Sequence, residues 1–469
     1  MSTSGQLRKS AIGTSGIVFF VVAAAAPLGA TLGAGPVVFA SNGVGAPGMY
    51  LVASVVLLLF AVGYATMSRH VTSAGGFTAY ISLGLGSRAG HASAGIALLA
   101  YNCLLLGLLG QFGVFARDLL SRWGWDADWQ VPAVIALALT GALGYLEITL
   151  SAKVLGVLMI AEVLILVVFD LVIVGRGIDT TAFDPANTFS GAPGIALLFA
   201  FTCFVGFEAT TIYGEEARDP RRTVARATYV AVVLIGIFYT VTTWAIGQAY
   251  GPDVVMARAA ADPVTFVTGI NTAVVGQFST DLMQILVVTS VFAVMLAVHN
   301  TLTRYMFSLG RGGLLPAQLG RTHHRFQSPH RASVVQSVLT LVALSAFVIA
   351  GVDPFKQLFA WLMGLGTLGI LVLQAAASLA VIAFFRHRAG SSLWRTLVAP
   401  LLGALGLAAG IVLAVVNFGV LTGITGPASA LLPLLIPIVA FVAAVVAALR
   451  RHTVRLTAST TGTTTGERH

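Results

Sequence analysis

Residues 201–222 read "FTCFVGFEATTIYGEEARDPRR". The stretch opens as an apolar helix and closes as a charged loop. Between the two, Gly206-Phe207-Glu208 sets a carboxylate inside a run otherwise suited to hydrocarbon. Glycine has weak helix propensity, and an acid at membrane depth is costly and usually functional. The stretch therefore predicts a membrane helix that breaks near Glu208. Irregular backbone at that depth is tolerated where it is covered by protein or lines a cavity.

Composition extends this reading to the whole chain. Of 469 residues, 57% are hydrophobic and only 9% are charged. The mean hydropathy is +0.92. Soluble domains carry roughly 25% charged residues. Apolar runs long enough to cross the bilayer, about 20 residues each, recur along the sequence. Twelve spans are predicted, at 15–41, 46–70, 88–120, 130–147, 151–176, 192–214, 225–250, 280–310, 331–352, 356–386, 394–421 and 428–450. The basic start "GQLRKS" resembles that of a signal peptide, but the apolar stretch after it is too long, so the first span is read as retained. Cys103 and Cys203 both fall inside apolar runs and make no disulfide framework or metal site.

Charge sets the expected orientation. With the amino terminus inside, 21 of the 26 Lys and Arg residues fall on the cytoplasmic side. Only Arg117, Arg122, Arg176, Arg258 and Lys356 fall outside. That bias predicts both termini in the cytoplasm and an even number of spans. The net charge of +9 thus marks topology and not nucleic-acid affinity. The tail "TASTTGTTTGERH" is small and polar, and is predicted to be disordered.

A second interruption is expected in the first span, "AAAAPLGATLGAGPVVFA" at 23–40. Gly29 and Gly33 have the spacing of a helix-packing face. The flanking Pro27 and Pro36 favour a true break instead, with Pro36 in the first turn of a new helix. Paired breaks in two halves point to a transporter site. A freed helix start offers N–H donors to a carboxylate, and a freed helix end offers carbonyls to an ammonium. A positive and a negative helix end at mid-membrane match an amino-acid zwitterion.

Four further segments carry a family resemblance. "GATLGAG" (29–35), "SAGGFTAYISLGLG" (73–86), "FVGFEA…EEARDPRRTVARA" (204–227) and "HNTLTRYMFSLGRGGLLP" (299–316) resemble, in order, motifs of the amino acid–polyamine–organocation superfamily. Ala225 and Gly312 depart from it where the family often has proline and an acid. The resemblance implies an all-α polytopic membrane protein with a LeuT-type 5+5 inverted repeat and two additional helices. The parts would be a cytoplasmic segment 1–14, a first repeat 15–176, a second repeat 192–386, two further helices in 394–450 and a cytoplasmic tail 451–469. It implies that the substrate carboxylate meets the backbone of Gly33, Ala34 and Gly35. The amine would meet carbonyls near Ala30 and from Thr202 through Cys203 and Phe204 to Val205. Phe204 and Phe207 become gate candidates. Tyr101 and Asn102 face the substrate side chain or, alternatively, make helix–helix hydrogen bonds.

Two acids are candidates for coupling. Glu208 is read as a gate or proton-linked switch, or else as a cap of the broken helix. Glu162 lies in the apolar "SAKVLGVLMIAEVLILVVFD" (151–170), where some members of the family carry a lysine that stands in for sodium. It is read as a proton or Na⁺ site, or else as a bundle hydrogen bond. Asp170, nearer the other end of that run, is read as interfacial.

Other chemistries are excluded. "GLGTLG" (364–369) lies in an apolar helix with no strand before it, so it is not a dinucleotide loop. "GTSG" (13–16) sits at the edge of the first span and is not read as a serine-protease motif. No Walker A motif is present, so an ion gradient is the expected energy source. His299 is read as a packing residue. The expectation is a transporter and not an enzyme: an amino-acid permease of the cell's plasma membrane, driven by proton symport. Sodium coupling, exchange, amine or polyamine substrates and simple facilitation are the alternatives. It would act in the bilayer as a monomer or homodimer, with no cofactor.

Overall fold

In the absence of water, a membrane segment must satisfy its backbone internally, and helices do so within one segment. The computed structural model describes residues 14–71, 76–146, 152–208, 210, 220–323, 328–386, 388 and 392–450, and no strand occurs among them. Residues 1–13, residues 215–219 of the 215–226 loop and the 451–469 tail lie outside the described residues.

The helices are, in order, α1 Thr14–Ala25, α2 Pro27–Asn42, α3 Ala46–Ser68, α4 Gly76–Leu85, α5 Ser87–Arg122, α6 Gln130–Leu146, α7 Ala152–Val174, α8 Pro185–Thr188 and α9 Pro193–Thr202. They continue as α10 Pro220–Tyr250, α11 Val255–Ala261, α12 Phe266–Val274, α13 Gln277–Arg311, α14 His330–Ile349, α15 Ala360–Phe385, α16 Ala399–Val416, α17 Phe418–Thr422 and α18 Leu431–Arg450. Among the described residues, nine stretches are long and apolar enough to cross a membrane, and α4, α6 and α9 are shorter apolar helices. This is a multi-pass α-helical membrane protein.

The centre of the molecule is α2, α5, α9 and α15, whose side chains are mostly buried. α2 packs on α9, α5 on α13, α15 and α18, and α10 along α3. The outer helices show apolar side chains to the surroundings, as Leu164 and Leu171 of α7 and Phe441 of α18 do. In a lipid solvent that is the expected exterior.

The first break is not where the glycines suggested. α2 runs through Gly33, Ala34, Gly35 and Pro36 without interruption. The chain breaks instead at Ala26, which holds φ 46° and ψ 72° between α1 and α2. Two features of Pro27 explain this. A residue before proline is driven out of the α region, and proline at the first position of a helix loses no bond. Pro36 removes one internal donor, which a buried membrane helix tolerates. The second break falls as expected. α9 ends at Thr202, residues 203–206 form turns, and Gly206 holds φ 110°.

α4, α11 and α12 fall in stretches read as loops. α4 is buried along Gly76–Ile81 and packs on α5 and α15. α12 packs on α13, with buried Asn271 donating to Thr280 Oγ1 over 2.9 Å.

Candidate functional site between the two broken helices

α2 begins in the interior, so its first turn presents N–H groups and the positive end of a helix dipole. The carboxylate that meets it belongs to the protein. The Leu28 N–H donates to Glu162 Oε2 over 3.3 Å. Ser290 of α13 donates its hydroxyl to the same oxygen over 2.8 Å. Glu162 is buried on α7, which also packs against α2, α10 and α13. Three elements therefore converge on one carboxylate at the start of α2.

At the other break, Glu208 is buried, and Gly206 N–H donates to its Oε2 over 2.9 Å. Tyr101 of α5 donates its hydroxyl to Glu208 Oε1 over 3.1 Å. Tyr64 of α3 donates to the Glu208 carbonyl over 3.4 Å. The carboxylate thus covers a freed N–H of the break and ties it to α5.

An aromatic pair links the two breaks. Tyr239 of α10 donates its hydroxyl to the Ala25 carbonyl, the last of α1, over 2.9 Å. Its ring centroid lies 5.9 Å from that of Tyr50 and 6.3 Å from that of Phe204. The Tyr50 hydroxyl lies 3.6 Å from Cys203 Sγ. Hence the end of α1 and the turn after α9 share one wall.

The remaining predicted residues divide. Thr202 and Thr367 of α15 share a hydroxyl–hydroxyl bond of 2.7 Å. Phe207 meets Phe60 edge-on at 5.9 Å. Gly33 carries the close approach of Gln111, since a Cβ there would sit 2.5 Å from Gln111 Nε2. Gln111 itself donates to the Gly29 carbonyl over 2.7 Å. Gly35 is buried, yet a Cβ built on it meets nothing within 4 Å, so α2 keeps room on that side. Ala30 lies in the first turn of α2, Ala34 one turn further along it, and Val205 in the turn after α9. Asn102 points elsewhere: its Oδ1 accepts from Gln336 of α14 over 2.8 Å. His299 packs against Ser333, Nε2 to Oγ at 3.1 Å. Asp170 packs inside the protein. It is buried, and Thr242 of α10 donates to its Oδ2 over 2.8 Å.

Three acids, Glu162, Asp170 and Glu208, are buried among the described residues, and no lysine or arginine is. Such an interior suits a proton, a cation or an ammonium.

The sequence matches the family model for amino acid permeases over residues 16–443. The chain belongs to the amino acid permease family. Its superfamily is the one that the four sequence segments resemble. Relatives of this permease include an uncharacterized transporter of Mycobacterium tuberculosis, 26% identical over 70% of each chain. The branched-chain amino acid permease BcaP of Bacillus subtilis is 26% identical over 75% of this chain and 77% of its own. The low-affinity putrescine importer PlaP of Escherichia coli is 24% identical over 64% of this chain and 67% of its own. The family and these relatives are transporters, not enzymes.

Four contributors to the permease's site escaped the sequence reading: Gln111, Tyr239, Ser290 and the Ala26-Pro27 step. Gln111 carried a signal, being a lone amide in "LLGLLGQFGVF" (105–115), where polar groups are expensive. Tyr239 and Ser290 carried none, since serine and tyrosine are ordinary in membrane helices.

Proposed function

We propose that this permease is a secondary active importer of an amino acid, working by proton symport and alternating access in the plasma membrane. In this reading it has twelve spans in a LeuT-type 5+5 inverted repeat plus two helices, with both termini cytoplasmic. Substrate would lie between the start of α2 and the turn after α9. It would touch Ala30, the Gly33-Ala34-Gly35 side of α2, Tyr101, and the segment from Thr202 to Val205 with Phe207 beside it. Glu162 and Glu208 would carry coupling and gating.

One observation carries the proposal: the Glu162 carboxylate holds the first N–H of α2. A proton taken up by Glu162 weakens that hold and frees the helix start for the substrate's carboxylate. Proton and substrate would then bind together, which is symport. Linkage of this kind is reciprocal. Sodium is the competing ion, because a hard cation wants oxygen ligands such as Glu162 and Ser290 supply.

A second reading has specific support. Three buried acids with no buried lysine or arginine among the described residues favour an amine substrate, and a putrescine importer stands among the relatives. An amine would leave Glu162 bound to Leu28 and use the carboxylates directly.

Uptake of a labelled panel of amino acids and amines into proteoliposomes separates these readings, with pH and Na⁺ gradients imposed one at a time. Glu162→Gln mimics the protonated acid. The expected outcome is retained exchange with loss of pH-driven accumulation. Normal accumulation by Glu162→Gln on a pH gradient alone would remove Glu162 from coupling. Tight binding of decarboxylated analogues would establish the amine reading.

A further inference from the structure

Away from the broken helices, α6 and α14 leave a groove of about 370 Å³ on the membrane-facing exterior. Its walls are almost wholly apolar, with Leu137 and Gly141 on one side and Val334 and Val338 on the other. At its floor Gly141 and Ser337 bring the helices together, since a Cβ on Gly141 would sit 2.5 Å from Ser337 Oγ.

One end of the groove is of a different character. Tyr145 lines it, and its ring lies 5.7 Å from His323 and 5.9 Å from His330, which are 5.1 Å from each other. Arg331 follows at the start of α14 and is exposed. Arg331, Val334, Val338 and Leu341 fall at helical spacing on one face of α14, so Arg331 continues the apolar stripe at the start of that helix. The helix start adds positive potential and N–H donors there.

An apolar channel ending in arginine, two imidazoles and a helix N-terminus has the polarity of one lipid. We propose that the groove binds a phospholipid with an anionic headgroup, its acyl chain along α6 and α14 and its phosphate at Arg331 and His330. Basic pockets between membrane helices on the cytoplasmic side suit such headgroups. That is the side on which the charge bias puts this end.

Native mass spectrometry of the delipidated, detergent-purified protein tests the site. The probes are phosphatidylglycerol and phosphatidylcholine with identical acyl chains. The expected result is one retained phosphatidylglycerol, held at least tenfold better than phosphatidylcholine. Arg331→Gln should erase the preference, and Val338→Trp should fill the groove and lose both lipids. Both positions are exposed, so the variants should fold. Equal retention of the two lipids, or an unchanged preference in Arg331→Gln, would overturn the proposal. So would efficient disulfide dimerisation of Val338→Cys, which would assign this face to a second copy of the chain.

Discussion

At the scale of single residues, Ala26 is the most informative position. It is the one non-glycine among the described residues with positive φ, and it is buried. A side chain there costs about 1–2 kcal/mol against the right-handed alternative. Packing on both flanks must hold it: Ala25 accepts from Tyr239, and Leu28 donates to Glu162. Ala26→Gly should therefore stabilise the protein by about 1 kcal/mol, seen as a raised melting temperature in detergent. Ala26→Val should lower it, because a β-branched residue is an outlier at positive φ. An unchanged melting temperature in both variants would show that the left-handed step carries no strain. The acids of the site were legible in the sequence because a carboxylate in an apolar run has no ordinary explanation. Ala26 was not, because its conformation comes from its neighbour Pro27 and from tertiary contacts that no local pattern encodes.

At the scale of elements, the question is which part of α2 meets the substrate. Two glycines two residues apart make opposite demands. Gly33 faces Gln111 and Phe359, with a built Cβ 2.5 Å from the first and 3.1 Å from the second. Gly35 faces open space. Gly33→Ala should displace Gln111, break its bond to the Gly29 carbonyl and cost about 1–3 kcal/mol in stability. Gly35→Ala should leave stability nearly unchanged, whereas Gly35→Leu should fill the room and weaken substrate binding with the fold intact. Melting curves and equilibrium binding on the same preparations separate the two effects. Should Gly35→Leu bind substrate normally, that side of α2 is not the substrate's. The breaks themselves show how far a pattern reaches. Glycine next to an acid located the second one within a few residues. In the first, two prolines and three glycines competed, and the glycine-rich stretch lost to the proline that starts α2. α4, α11 and α12 were missed because helices of seven to ten residues give too short a period to tell from loops.

At the scale of the whole molecule, charge and apolarity divide the labour. Hydrocarbon exposure sets which helices lie outside, and the arginines set which end faces the cytoplasm. Arg258 on α11 and Arg311 at the end of α13 are both exposed and belong, on the charge bias, to opposite sides. Cys103 and Cys203 are buried, so a single introduced cysteine can be read against a low background. In intact cells, Arg258→Cys should react with an impermeant maleimide, and Arg311→Cys should react only after the membrane is opened. The reverse pattern would invert the topology. It would also turn the Arg331 end of the groove to the outer face, which carries less anionic lipid. Reaction of both cysteines from outside would break the odd number of crossings that must separate them. Whether the chain crosses the membrane as the basic residues imply is thus decided by two exposed residues away from the broken helices.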